Sequence, residues 1–206
     1  MAVVDLDAVV GNPPYVRQEK LGRELKDKLE KLLREPWPGL ALSGRSDLHC
    51  YFWPAAARFL REGGYFGFLS SSSWLDVEYG FPLQDWMLRH FKIIAILEST
   101  DEPWFTDARV KTCATILQRC GDQAERDANI VRFVRFSRHL VDILGKLATE
   151  DDEARFRAAA AMRDRIMAAS TDVADGDLRI VVKPQADLWD EGQLAGKTLG
   201  VSFAGK

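Results

Sequence analysis

Apolar and polar residues fall into blocks along this chain, and the lengths of those blocks predict an α/β fold. Val3 to Val10 is apolar apart from Asp5 and Asp7, reads as a strand, and stops at Gly11-Asn12-Pro13-Pro14. From Arg17 to Arg34 the cations are interleaved with Glu19, Glu24, Asp27 and Glu30 at helical spacing, which predicts a solvated amphipathic helix laced with ion pairs. A second helix is predicted from Ser46 through Ala57, Phe59 and Leu60. Arg61-Glu62-Gly63-Gly64-Tyr65 then reads as a turn into the strand Phe66–Leu69. Helix, Gly-Gly turn and apolar strand together make a βαβ crossover. Ile93–Leu97 has the short apolar run of a buried parallel strand, and another strand is expected to end near Leu117.

Beyond Arg119 the pattern is less regular. Gly121–Asp127 is polar and charged and predicts a loop, and Asn129–Phe136 predicts a strand with one clearly patterned face. Arg138–Thr149 and Glu153–Ala169 are expected to be helical. Thr171–Asp177 punctuates the chain before a strand at Leu178–Val182 that Lys183-Pro184 ends. There is no internal repeat, and the only low-complexity tracts are a serine run and an alanine run.

The chemistry concentrates where the first strand ends. Each X-Pro step pushes the residue before it into extended geometry, and neither proline has an N–H, so Asn12-Pro13-Pro14-Tyr15 offers acceptors without competing main-chain donors. Such a site suits an amino group. An exocyclic amine on a purine is a poor nucleophile because its lone pair is conjugated into the ring. If the Asn12 side-chain oxygen and the Pro13 carbonyl accept its two N–H bonds, the nitrogen is drawn toward tetrahedral geometry and can attack a methyl group in line. Tyr15 supplies a ring face for a flipped base, worth roughly 1–3 kcal/mol by analogy with base stacking on aromatic side chains. A turn after a buried strand is the competing reading of Asn-Pro-Pro.

The longer string Asp7-Ala-Val-Val-Gly-Asn-Pro-Pro-Tyr-Val-Arg17 resembles the catalytic motif of the amino-methylating DNA methyltransferases that act on adenine N6. Through Arg119 the chain resembles the large bacterial adenine-specific enzymes of restriction-modification and phage-defence systems. Ser46-Asp-Leu-His-Cys-Tyr-Phe-Trp53 is similar to the family segment after the catalytic strand, and Ser70–Leu75 to the family's next strand end and helix start. The resemblance implies a partial Rossmann-like methyltransferase sheet, from the catalytic strand onward, followed by a mixed helical and strand extension. It implies catalytic roles for Asn12, Pro13 and Tyr15 and substrate contacts from Pro14. An aromatic residue before the last strand forms the other wall of the family's base pocket. Phe105 matches that position, with Trp104 adjacent as the alternative.

By the same resemblance the methyl donor is S-adenosylmethionine and the partner is double-stranded DNA. The family holds the cofactor through a glycine-containing turn and an acidic strand end that precede the catalytic strand, and no other glycine-rich turn here leaves a strand for a helix. The expectation is therefore the C-terminal half of a methyltransferase domain at 1–120, its cofactor-binding residues unknown, completed by an N-terminal half or companion subunit. A bridge at 121–206, with Leu188-Trp189 as a family element, would lead toward a missing target recognition domain. Removing the first strands of such a sheet would leave an apolar edge prone to pairing.

Composition fits a globular chain: 206 residues, 47% hydrophobic and 29% charged, can bury a core. Neither a signal peptide nor a long uncharged apolar stretch is evident, so the expected location is the cytoplasm, away from membranes. Cys50, Cys113 and Cys120 lack any Cys-x-x-Cys spacing and argue against structural zinc, and His49, His90 and His139 are scattered as packing or surface residues are. A net charge of -3 is low for a DNA enzyme, whose phosphate contacts need a basic surface. Two concentrations answer it in part: Arg17 to Arg34, and Arg132, Arg135, Arg138 with His139. Other readings stay open: methylation of a protein glutamine or an RNA guanine amine, where the same clamp occurs, and a non-catalytic remnant that binds DNA or a partner chain. The long insertion from Val16 to Gly44 favours the DNA enzymes.

Overall fold

The computed structural model describes residues 5–100, 104 and 111–199. Seven strands form one mixed sheet in the order β1-β2-β4-β3-β5-β7-β6. β1 (Leu6–Gly11) lies parallel to β2 (Leu60–Ser71), and α1 (Arg23–Arg34) and α2 (Leu48–Ala57) fill the crossover between them. After β2 come α3 (Ser73–Asp76) and α4 (Phe81–His90), then β3 (Phe91–Ser99). β4 (Thr112–Arg119) runs antiparallel to both β2 and β3 and sits between them. β5 (Ile130–Phe136) is parallel to β3, so β1, β2, β3 and β5 all point their carboxyl ends to one edge of the sheet.

The expected elements recur with several changes, the first being that Leu60, expected in the second helix, opens β2. Gly63-Gly64 lies inside β2 rather than before it: the register jumps from Leu6↔Leu60 to Ala8↔Tyr65, and Gly63 at φ 73° supplies the left-handed residue that this bulge requires. The segment predicted as a loop at 121–127 contains the short helix α5 (Gln123–Asp127), because the Asp122 side chain accepts the Glu125 N–H and caps it. The helix predicted over Arg138–Thr149 is broken at Gly145 into α6 (Leu140–Leu144) and α7 (Leu147–Glu150). α8 (Asp152–Met167) follows as expected. The punctuating segment holds a two-residue strand, β6 (Val173–Ala174), paired to β7 (Leu178–Pro184), and α9 (Gln185–Leu199) carries Leu188-Trp189. β5, β7 and β6 extend the same sheet that β1 to β4 begin.

The core explains why the β1 end is held firmly. Trp53 of α2 is fully buried and meets Phe66 and Phe68 of β2 with ring centroids 5.1 and 4.9 Å away, and Trp74 lies 6.1 Å beyond. Leu83, Met87 and Phe91 close this layer from α4 and β3. The other face is covered over β3, β5 and β7 by α8, with Ala95, Val134, Phe136, Ile166 and Ile180 buried together. Over β1 that face is open: Val10 is 83% exposed, and β1 has a paired neighbour on one side only among the described residues. No described helix is long and apolar enough to cross a membrane.

Candidate active site

Close packing fixes how the first strand delivers its polar end. Gly11 pairs with Phe68, and a Cβ on Gly11 would stand 2.8 Å from the Phe68 ring, so glycine lets β1 end flat against that aromatic. Pro13 is buried, while Asn12 and Pro14 are exposed. Tyr15 is half-buried, and its hydroxyl donates to the Leu69 carbonyl at 3.1 Å, tying the loop to β2. Burial, reinforced by the nearby Cys113, pushes the Tyr15 hydroxyl up to about 12, which keeps it a donor. The Val16 N–H donates to the Pro14 carbonyl at 3.1 Å and closes a tight turn.

The far end of the loop is tied to α2. Leu48 N–H donates to the Val16 carbonyl at 2.9 Å, and Gln18 N–H donates to Asp47 Oδ1 at 2.8 Å. Asp47 occupies the cap position of α2 yet accepts no bond from that helix through its side chain. Its second oxygen accepts from the Tyr79 hydroxyl at 2.9 Å; Tyr79 and Ser73 hydroxyls are 2.7 Å apart, and Ser73 and Ser71 hydroxyls 2.9 Å apart. Asp47 thus braces the loop against the segment between α3 and α4. Neither the Asn12 carboxamide nor the Pro13 carbonyl is engaged by another described residue, so both acceptors are unclaimed.

Beside this loop, on the carboxyl edge, opens a cleft of about 570 Å³ whose walls include Tyr15, Arg17, Arg45, His49, Tyr79 and Lys111. His49 is almost wholly buried, and burial pushes its imidazole below the usual value. A second hollow of about 660 Å³ lies beside Val10 and Gly11 on the open sheet face, with Leu69, Leu97, Ile116 and Trp104 among its walls. Trp104 is half-buried there, whereas Phe105 lies outside the described residues. The hollow's lining side chains are apolar except for the Trp104 ring nitrogen. S-adenosylmethionine needs an acceptor for its ribose hydroxyls and donors for its carboxylate. The hollow's side chains offer no acceptor and only the Trp104 N–H as a donor, so the described residues do not by themselves fit the cofactor.

The remaining candidates resolve into structural roles. Cys50, Cys113 and Cys120 are buried free thiols, and burial holds the first two protonated, Cys113 at about 11. Among the described residues no cluster of His, Cys, Asp or Glu could hold a metal ion. Arg132 does not join a basic surface: it is buried, and its guanidinium donates to the Met167 and Ala169 carbonyls at the end of α8. Asp47, Tyr79, Arg45 and Lys111 were not singled out from the sequence. Asp47 alone gave a signal, as a carboxylate before a helix, and that signal points to a helix cap.

Comparison with known proteins agrees with this fold. The model of the Eco57I restriction-modification methylase family matches residues 4–105. Type II methyltransferase M.BanIII of Aneurinibacillus aneurinilyticus is 32% identical over 103 residues, which are 50% of this chain and 17% of that protein. Type II methyltransferase M.XamI of Xanthomonas campestris pv. amaranthicola is 28% identical over 177 residues, 85% of this chain and 32% of that protein. The chain therefore spans about a third or less of the length of these relatives. Its fold matches part of the type IIG restriction endonuclease BpuSI with a TM-score of 0.66 at 13% identity, covering 90% of this chain and 20% of that one.

Proposed function

Because residues 4–105 of this chain belong to the Eco57I restriction-modification methylase family, we propose that it carries the target-base side of a DNA methyltransferase acting on the N6 amine of adenine. The observation that carries this reading is the pair of unclaimed acceptors, Asn12 Oδ1 and the Pro13 carbonyl, on a loop pinned at both ends. Pinning removes the entropy of ordering the loop at the moment of reaction, and the acceptors strengthen their hold as the amine hydrogens become acidic. Tyr15, fixed through its hydroxyl, presents its ring to a base taken out of the duplex, with Pro14 at the rim and Phe105 as the opposite wall. S-adenosylmethionine supplies the methyl group when bound, and its binding groups come from outside the described residues. In this reading residues 1–120 form the base-clamping half of the catalytic domain and 121–206 a bridge toward target recognition. Duplex DNA is the partner, together with an N-terminal half or companion subunit, in the cytoplasm.

The test is Asn12→Ala in the assembled enzyme that contains this chain. Methyl transfer in a single turnover should fall at least a hundredfold while cofactor affinity stays within twofold, since the lost acceptor acts on the amine as it rehybridises. A normal single-turnover rate would remove Asn12 from the active site.

A further inference from the structure

We infer that the carboxyl edge of the sheet is a phosphate track for duplex DNA, with Arg17, Arg45, Lys111 and Arg179 as its contacts. The inference rests on the proposed function and goes beyond it, since the base clamp says nothing about where the backbone lies. Ion pairs form at both sheet edges, but four cations of the carboxyl edge are left out of them. At the amino edge, Arg61 pairs with Asp7 at 2.7 Å, Arg119 with Glu62 at 3.9 Å, Lys183 with Glu191 at 2.6 Å, and Lys92 with Glu125. At the carboxyl edge, Arg138 and Arg165 pair with Asp177 at 2.8 and 3.4 Å and Arg135 pairs with Glu98, whereas Arg17, Arg45, Lys111 and Arg179 have no carboxylate partner among the described residues.

Topology brings these four together from distant parts of the sequence. Arg17 follows β1, Arg45 precedes α2, and Lys111 precedes β4, which starts at this edge because it runs antiparallel to β2; the three line one cleft with Tyr15. Arg179 is near the start of antiparallel β7, directly across from Arg135 of β5. Like charges facing each other across strands destabilise a sheet, and Glu98 answers only Arg135, at 3.7 Å. An anion between them removes that cost. From β1 to β7 the sheet order makes five strand steps, roughly 24 Å at ~4.8 Å each. A duplex laid along that line spans about seven base pairs at ~3.4 Å per pair. The acidic neighbours Glu19 and Asp76 also line the cleft and set its limit. Asp47 is engaged by Gln18 and Tyr79. This local arrangement reconciles DNA binding with a net charge of -3.

The experiment is fluorescence anisotropy of a labelled 30-base-pair duplex with the 206-residue chain across a KCl series. The logarithm of affinity should fall with the logarithm of salt at a slope of about 3 to 4, near 0.9 per phosphate contact. R17Q, R45Q, K111Q and R179Q should each lower the slope by about 1, and D76N should tighten binding. R61Q, K92Q and K183Q, each ion-paired at the amino edge, should leave it unchanged. Equal losses from both edges, or no duplex binding by a chain that circular dichroism shows folded, would overturn the track. Asn12→Ala should bind with the parent slope, so failure of the amine clamp and failure of the track are separately visible.

Discussion

Asp47→Ala should loosen the Asn12–Tyr15 loop without unfolding the sheet, and the size of the effect follows from two bonds. The variant removes the acceptor for the Gln18 N–H at 2.8 Å and for the Tyr79 hydroxyl at 2.9 Å. Hydrogen bonds to a charged acceptor contribute about 1.5–3 kcal/mol each. Asp47 is half-buried, Tyr79 keeps Ser73, and water replaces part of what is lost, so the total should be about 2–3 kcal/mol rather than the sum. Asp47→Asn retains one carbonyl acceptor and should cost about 1 kcal/mol. In a urea titration of the chain, a slope of roughly 2–3 kcal/mol per molar moves the midpoint down by about 1 M for the alanine variant. The local readout is amide exchange: the Gln18 N–H should exchange about 30-fold faster, while amides of β3 and β5 speed up only as far as global stability falls. An unchanged midpoint together with an unchanged Gln18 exchange rate would refute the bracing role.

Three other outcomes are expected. Tyr15→Ala and Phe105→Ala should each reduce capture of an extrahelical base, read as fluorescence of 2-aminopurine at the target position; Tyr15→Phe should keep capture but lose about 1 kcal/mol of stability with its bond to Leu69, and parent-like fluorescence in both alanine variants would reject the aromatic pocket. His90 is held at about 4, below its usual 6.5, by burial and then by Arg126, Arg119 and Arg89, with Trp37 4.8 Å away; protons therefore favour the unfolded chain, stability is full above pH 6.5, and about 2–3 kcal/mol is lost as pH falls from 6.5 through 4. His49 is shifted the same way, so His90→Gln should flatten this limb of the pH–stability curve without abolishing it, and an unaltered limb would exclude His90. Calorimetric titration of the 206-residue polypeptide with S-adenosylmethionine should show no specific binding, because the hollow beside Val10 is apolar; micromolar affinity would locate a cofactor site within these residues.

Local features are legible from the residue pattern alone: strand, Pro-Pro turn and aromatic at Leu6–Tyr15, the βαβ crossover, the buried strand at Ile93–Leu97, and the helix of α8. These rest on short-range periodicity, proline geometry and helix propensity, which neighbours in the chain settle. Where a single side chain reset the backbone, as Asp122 does for α5, pattern alone read a loop. Tertiary structure decided the rest. Placing β4 antiparallel between β2 and β3 brings Lys111 beside Arg17 and Arg45, and pairing β7 with β5 sets Arg179 opposite Arg135. Arg132, one residue of an apparent basic stripe, turns inward to the carbonyls of α8 because alternation along β5 sends it to the opposite face from Arg135. Asp47 stands just before α2 in sequence and becomes a loop brace in space, since its oxygens accept from the N–H of Gln18, 29 residues away along the chain, and from the Tyr79 hydroxyl. Hydrogen bonds and ion pairs are settled by whichever partner folding brings within about 3 Å, and sequence distance carries no information about that.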